Sequence, residues 1–125
     1  MRWALAEARL RGTPIDAVYA WSIPYLGVAY TWAPAYDEAT LEALRKTAEQ
    51  VLDVTVNQVI EASNQVEVRR HAIEGPPGAV LVERAREAEM LVVGSRGLGG
   101  FKELLLGSVG HQCAQHARCP VVIIH

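Results

Sequence analysis

Met90-Leu91-Val92-Val93 runs into Gly94-Ser95-Arg96-Gly97, and nine residues later the chain reads Gly107-Ser108-Val109. The reading of this stretch settles the fold class. A short unbroken apolar run suits a parallel strand covered on both faces. The segment from Gly94 to Gly107 then holds five glycines in fourteen residues, and a helical pattern opens at Ser108. After Cys119, Pro120-Val121-Val122-Ile123-Ile124 is a second apolar strand. Strand, glycine-rich loop, helix and strand make a βαβ unit, in which the two strands run parallel.

The same alternation extends toward the N-terminus. Glu74-Gly75-Pro76-Pro77-Gly78 is a turn with proline at the start of a helix. That helix is expected to turn Leu81, Ala85 and Ala88 inward and Glu83, Arg84, Arg86 and Glu87 outward. Val66-Glu67-Val68-Arg69 alternates like a half-buried strand running to Ile73. Upstream, Leu41, Leu44, Ala48, Val51, Leu52, Thr55 and Val59 step by three and four behind Asp37, a helix N-cap residue type. Residues 22–36 are irregular, with Pro24, Gly27 and Pro34 punctuating Tyr25, Tyr30, Trp32 and Tyr36. Those aromatics form either a partner surface or nucleotide lid, or a loop packed over its neighbouring helices. Ile15 to Trp21 reads as a mostly buried strand. Residues 1–11 place Met1, Leu5 and Ala8 on one helical stripe, stopped by Gly12 and Pro14. The order predicts one α/β domain over residues 1–125, with a doubly wound, parallel, Rossmann-like sheet.

Composition narrows the function. Of 125 residues, half are hydrophobic and 21% are charged, as in a globular domain. The formal net charge is −2, which offers no basic excess for a nucleic-acid backbone or an anionic membrane. No apolar run approaches the ~20 residues of a membrane span, and charges interrupt the N-terminal residues as no secretory signal would allow. The two cysteines, Cys113 and Cys119, are too few for a disulfide framework. A cytoplasmic location is the expectation.

The glycine-rich loop carries the chemistry. Gly94 and Gly97 allow positive φ and close approach of a ligand to the backbone. Successive N–H groups in such a loop form a nest for anions. At Gly107 and Ser108 the unpaired N–H groups and macrodipole of a helix N-terminus favour negative charge. The Ser108 hydroxyl either donates to a phosphate oxygen or caps its own helix. No Gly-Lys-Ser/Thr follows, so this is not a Walker loop, and Lys102 stands where a dinucleotide fingerprint starting at Gly97 needs glycine. His111, Cys113, His116 and Cys119 have metal-like spacing, but residues 111 and 113 point about 200° apart on a helix and cannot converge. His111 beside Ser108 lacks a carboxylate to orient it as a catalytic base.

Gly94-Ser95-Arg96-Gly97, nine residues, then Gly107-Ser108-Val109 resembles the G-x2-G-x9-G-S signature of the nucleotide-binding universal stress proteins. Leu91 to Gly94, Phe101 to Leu106 and Ala117-Arg118-Cys119-Pro120-Val121-Val122 are similar to that family too, as are Trp3 to Ala8 and the Gly75-Pro76 turn. The resemblance implies that Gly94, Gly97, Gly107 and Ser108 hold the phosphates and ribose of ATP or another adenine nucleotide, with or without Mg²⁺. It implies that Val109 adds a backbone N–H and that the backbone at Ala20 meets the adenine. Arg96 lies within the signature, either paired with a phosphate or solvated. No dedicated protein metal site and no catalytic residue are implied.

The family begins with a strand and an acidic residue before its first helix, and orders its strands 3-2-1-4-5. Met1 falls where the first helix is already under way, so the expected fold lacks that central strand. The chain is accordingly expected to start about fifteen to twenty residues further upstream, from typical strand and loop lengths. The resemblance implies a homodimer paired through strand 120–124. The expected role is a nucleotide-binding stress-response regulator, not an enzyme, with slow ATP hydrolysis as a side possibility. The alternative is a dimeric interaction protein that keeps the fold without the ligand.

Overall fold

A computed structural model of the chain describes residues 1–23, 37–60, 65–95 and 106–125. Tyr25, Tyr30, Trp32 and Tyr36, along with Arg96, Gly97 and Phe101, lie outside the described residues. The chain divides into two compact units, Met1–Glu74 and Gly75–His125.

The first unit opens with α1 (Arg2–Arg11), β1 (Ile15–Trp21), α2 (Glu38–Asn57) and β2 (Val68–Glu74). Helix α1 buries Leu5 and Ala8 and ends at Gly12, whose φ of 66° and ψ of 30° are left-handed. Only glycine takes that conformation cheaply, so the sequence stops the helix there. Helix α2 starts where Asp37 caps it, Oδ1 accepting the Thr40 N–H at 2.8 Å. It crosses from β1 to β2, which pair in parallel from Ile15 opposite Val68 to Trp21 opposite Glu74. Ala17, Leu52 and Val56 form the core, with Met1, Tyr19, Ile60, Val68 and Ala72 packed against it. On β1's other face Asp16 pins the register, its Oδ1 lying 3.0 Å from Arg69 Nε and 2.8 Å from His71 Nε2.

The stepping residues of α2 divide between core and solvent. Ala48, Leu52 and Val56 are buried, whereas Val51 and Thr55 are exposed. Spacing of three and four fits two adjacent stripes on a twenty-residue helix. The strand opposite chooses the one centred on Leu52.

The second unit contains α3 (Pro77–Arg84), β3 (Leu91–Gly94), α4 (Ser108–His116) and β4 (Val121–Ile124). Pro77 stands in the first turn of α3, where a missing N–H costs nothing. The helix tightens into a 3-10 turn over Ala85–Glu87, which buries Ala85 but releases Ala88 into extended backbone. Ala88 is therefore exposed, contrary to the sequence reading. Strands β3 and β4 pair in parallel, Leu91 opposite Val121 through Gly94 opposite Ile124.

The described strands thus form two parallel two-stranded ladders, β1–β2 and β3–β4. The architecture is α/β with parallel strands and helical crossovers, as the sequence predicts.

Candidate functional site

The end of β3 and the start of α4 meet through one backbone residue. Ser95 is buried, and its N–H donates to the Ile124 carbonyl at 2.8 Å, prolonging the β3–β4 ladder by one step. Its own carbonyl accepts the Gly107 N–H at 2.8 Å. The two ends of the glycine-rich loop are thereby tied together beside the carboxyl end of the strand. Open α/β sheets place their ligands at this end.

Gly107 is the N-cap of α4, with φ of −68° and ψ of 161°, and its carbonyl accepts the His111 N–H at 2.9 Å. The capping position therefore belongs to a residue with no side chain. Ser108 is the first helical residue and is exposed. The capping reading of its hydroxyl is thus overturned. Helix geometry leaves the N–H groups of Ser108, Val109 and Gly110 without intrahelical acceptors. The Gly107 N–H is already used by Ser95, so these three are the donors that α4 offers to an anion.

Gly94 also differs from expectation. It continues β3 in register with Ile124, and the left-handed glycines among the described residues are Gly12 and Gly75. Gly94 acts as the last rung of a ladder and not as a turn. Gly110 is a site residue that the sequence reading misses. A Cβ built there would lie 2.6 Å from Leu106 Cδ1 and 3.6 Å from the Gly94 carbonyl oxygen. Its missing side chain lets α4 sit tightly against the loop end and the tip of β3. An isolated glycine inside a helical pattern is the available signal.

Ala20 lies in β1 opposite Ile73, in the first unit. Its neighbour Trp21 keeps a buried indole N–H for which no acceptor stands among the described residues. Nothing in the structure explains that orphan. On α4, His111 is exposed and Cys113 fully buried, so the two point apart as the helical period requires. Burial pushes the Cys113 thiol pKa up. Both cysteines are free thiols. Among the described residues no helix is long and apolar enough to cross a membrane.

Comparison with known proteins places this geometry. The profile described as the universal stress protein family matches residues 1–125. A universal stress protein of Mycobacterium tuberculosis is 37% identical over 120 residues, which cover 96% of this chain and 38% of that protein. The chain spans about two fifths of the length of the curated relatives it matches. Among solved structures, universal stress protein UspA from Lactobacillus plantarum superposes with a TM-score of 0.76 at 20% identity, over 98% of this chain and 85% of that one. A universal stress protein solved in complex with cAMP matches with a TM-score of 0.57 at 23% identity, over 99% of this chain and 82% of that one. These two structural matches carry the fold. The full-length family match carries the membership: the chain belongs to the universal stress protein family.

Proposed function

We propose that the chain is a cytoplasmic regulatory module that binds the phosphates of an adenine nucleotide at the start of α4. One observation carries the reading. The bond from Gly107 N–H to Ser95 O holds the helix start beside the carboxyl end of β3, so the free N–H groups of Ser108, Val109 and Gly110 stand together at the loop mouth. Convergent N–H donors on a helix macrodipole are an anion site. Gly94, Gly107, Ser108 and Val109 contribute here, while Arg96 and Gly97 fall outside the described residues. Ala20, the residue that family resemblance assigns to the adenine, belongs to the first unit. That a universal stress protein was solved with cAMP supports an adenine nucleotide as the ligand class.

The proposed role is binding, not turnover, and any Mg²⁺ would arrive on the phosphates of ATP. Homodimerisation is proposed through β4, whose apolar residues Val121 to Ile124 pair, among the described residues, with β3 on one edge only. Calorimetric titration with ATP, ADP, AMP and cAMP tests the ligand. Saturable binding of at least one, lost in Gly107→Val, is the expected result. The substitution keeps the backbone conformation, since the φ of −68° at Gly107 suits any residue, while the added side chain obstructs the approach. No binding of all four nucleotides would overturn the reading and leave the ligand-free interaction protein. Mg²⁺-dependent release of phosphate would instead show slow hydrolysis.

A further inference from the structure

Among the described residues, strand β2 pairs with β1 alone. The ladder fixes which of its backbone groups are used. The Ile15 N–H donates to the Glu67 carbonyl at 2.9 Å, and Ile15 stands opposite Val68. In a parallel pair, alternate residues aim both backbone groups at the neighbouring strand. Arg69, His71 and Ile73 therefore turn theirs toward β1, while Val68, Arg70, Ala72 and Glu74 turn theirs away from it. No hydrogen bond from another described residue reaches that outer row. An open row of alternating donors and acceptors is complementary to another extended backbone.

The edge is also open in space. A cleft of about 420 Å³ lies between Glu49 and Asp53 of α2 and residues 70–73 of β2. No residue of β1 lines it, so it runs along the outer side of β2, where the helix does not close over the strand.

The side chains of the outward row select the occupant. Val68 and Ala72 pack against the core beneath α2. Arg70 points the same way, donating to Asp53 and Asn57, both at 2.7 Å. By the two-residue period Glu74 shares that face. Those two bonds leave three of the five N–H groups of the Arg70 guanidinium. Glu74 is exposed and makes no ion pair among the described residues. A cation with donors to spare and an unpaired carboxylate thus flank Ala72 at equal distances along one edge. An edge of single sign repels its own copy; this one carries both signs, symmetrically placed.

Two copies of an edge related by a two-fold axis perpendicular to the sheet run antiparallel, and outward residues then face outward residues. An axis on Arg70 sets that cation against itself. An axis on His71 gains a rung at the strand ends but sets Glu74 against Val68. An axis on Ala72 sets Arg70 against Glu74 twice and places the smallest side chain of the row at the centre. Opposite charges directly across two strands are stabilising, and like charges are destabilising.

We propose that β2 pairs antiparallel with β2 of a second copy about an axis at Ala72, Arg70 of each chain meeting the partner's Glu74. The contact joins the two β1–β2 ladders into one sheet and uses a different edge from β4. About six backbone hydrogen bonds and the two ion pairs form it, so it is small, weak and reversible.

Sedimentation velocity over roughly 10 to 500 µM covers the range in which such contacts dissociate. All chains carry Val122→Lys, so that β4 pairing does not contribute. That parent should still dimerise. Arg70→Glu and Glu74→Arg should each raise its dissociation constant at least about tenfold, because each converts both ion pairs into like-charge pairs. An equimolar mixture of the two variants should recover the dimer, because every pair across the contact is again of opposite sign. Circular dichroism checks the fold. Arg70→Glu loses the contacts with Asp53 and Asn57, and if it fails to fold, Glu74→Arg at its exposed position decides the matter alone. A parent that stays monomeric throughout the range overturns the proposal. Unchanged association in Glu74→Arg overturns it equally, and so do two folded variants that each dissociate but do not recover on mixing.

Discussion

Ser108→Pro isolates the contribution of a single backbone donor in the proposed phosphate site. Proline is well tolerated at the first position of a helix, because the N–H it lacks has no partner there. The residue before it must be extended, and Gly107, with φ of −68° and ψ of 161°, already is. No intramolecular hydrogen bond of α4 is lost, so stability should change by no more than about 0.5 kcal/mol. A hydrogen bond to a charged phosphate contributes about 1.5–3 kcal/mol. Its loss should weaken nucleotide affinity about tenfold to a hundredfold. The substitution also removes the hydroxyl, so Ser108→Ala serves as the reference and the ratio of the two affinities reports the N–H alone. Calorimetric titration with ATP gives the affinities, and thermal unfolding followed by circular dichroism confirms the fold. If the proline and alanine variants bind ATP equally well while remaining folded, the N-terminus of α4 does not hold the phosphates.

Gly110→Ala should cost about 1 kcal/mol or less in urea denaturation, the displacement of Leu106 outweighing a helix-propensity gain of about 1 kcal/mol; clear stabilisation would show that Leu106 moves freely. The hydrogen bonds from Thr40 hold the Asp37 carboxyl below its usual pKa. Its contribution to stability is thus fully present above the unfolded-state value near 4 and is lost as pH falls through the lower folded-state value. In Asp37→Asn the acid limb of a stability–pH profile should flatten, and an unchanged limb would contradict the cap. Cys113, buried and with its thiol pKa raised, should resist iodoacetamide at neutral pH until the protein unfolds, while the partly exposed Cys119 reacts in the folded state; mass spectrometry of time points distinguishes the two. Val122→Lys should eliminate any association made through β4, as read by sedimentation.

Where side chains dictate backbone, the sequence is readable. Gly12 and Asp37 mark a helix end and a helix start through a left-handed φ and a side-chain cap, and both stand where expected. The apolar runs at residues 91–93 and 121–124 form the β3–β4 ladder for the same reason. The stepping residues of α2 include the exposed Val51 and Thr55, because the period admits two neighbouring stripes and only β1 and β2 select between them. At the site, the glycine spacing points to the correct loop but not to its mechanics. Ser95 joins the two ends through its N–H and carbonyl, and every residue type except proline carries that pair. Gly94 accordingly reads as a turn and proves to be a strand residue, and Ser108 reads as a cap and proves to stand behind one.

The two ladders differ in the length of chain each must close. Ile15 meets Val68 across an intervening stretch nearly twice as long as the one separating Leu91 from Val121. By polymer closure entropy the longer connection costs about 0.5 kcal/mol more, and α2 must also be in place before its strands can close over a core. Folding rates fall as such distant pairings accumulate. The β3–β4 ladder should therefore gain amide protection first in pulsed hydrogen exchange, so that the Ser95–Gly107 bond is set before the N-terminal ladder has closed.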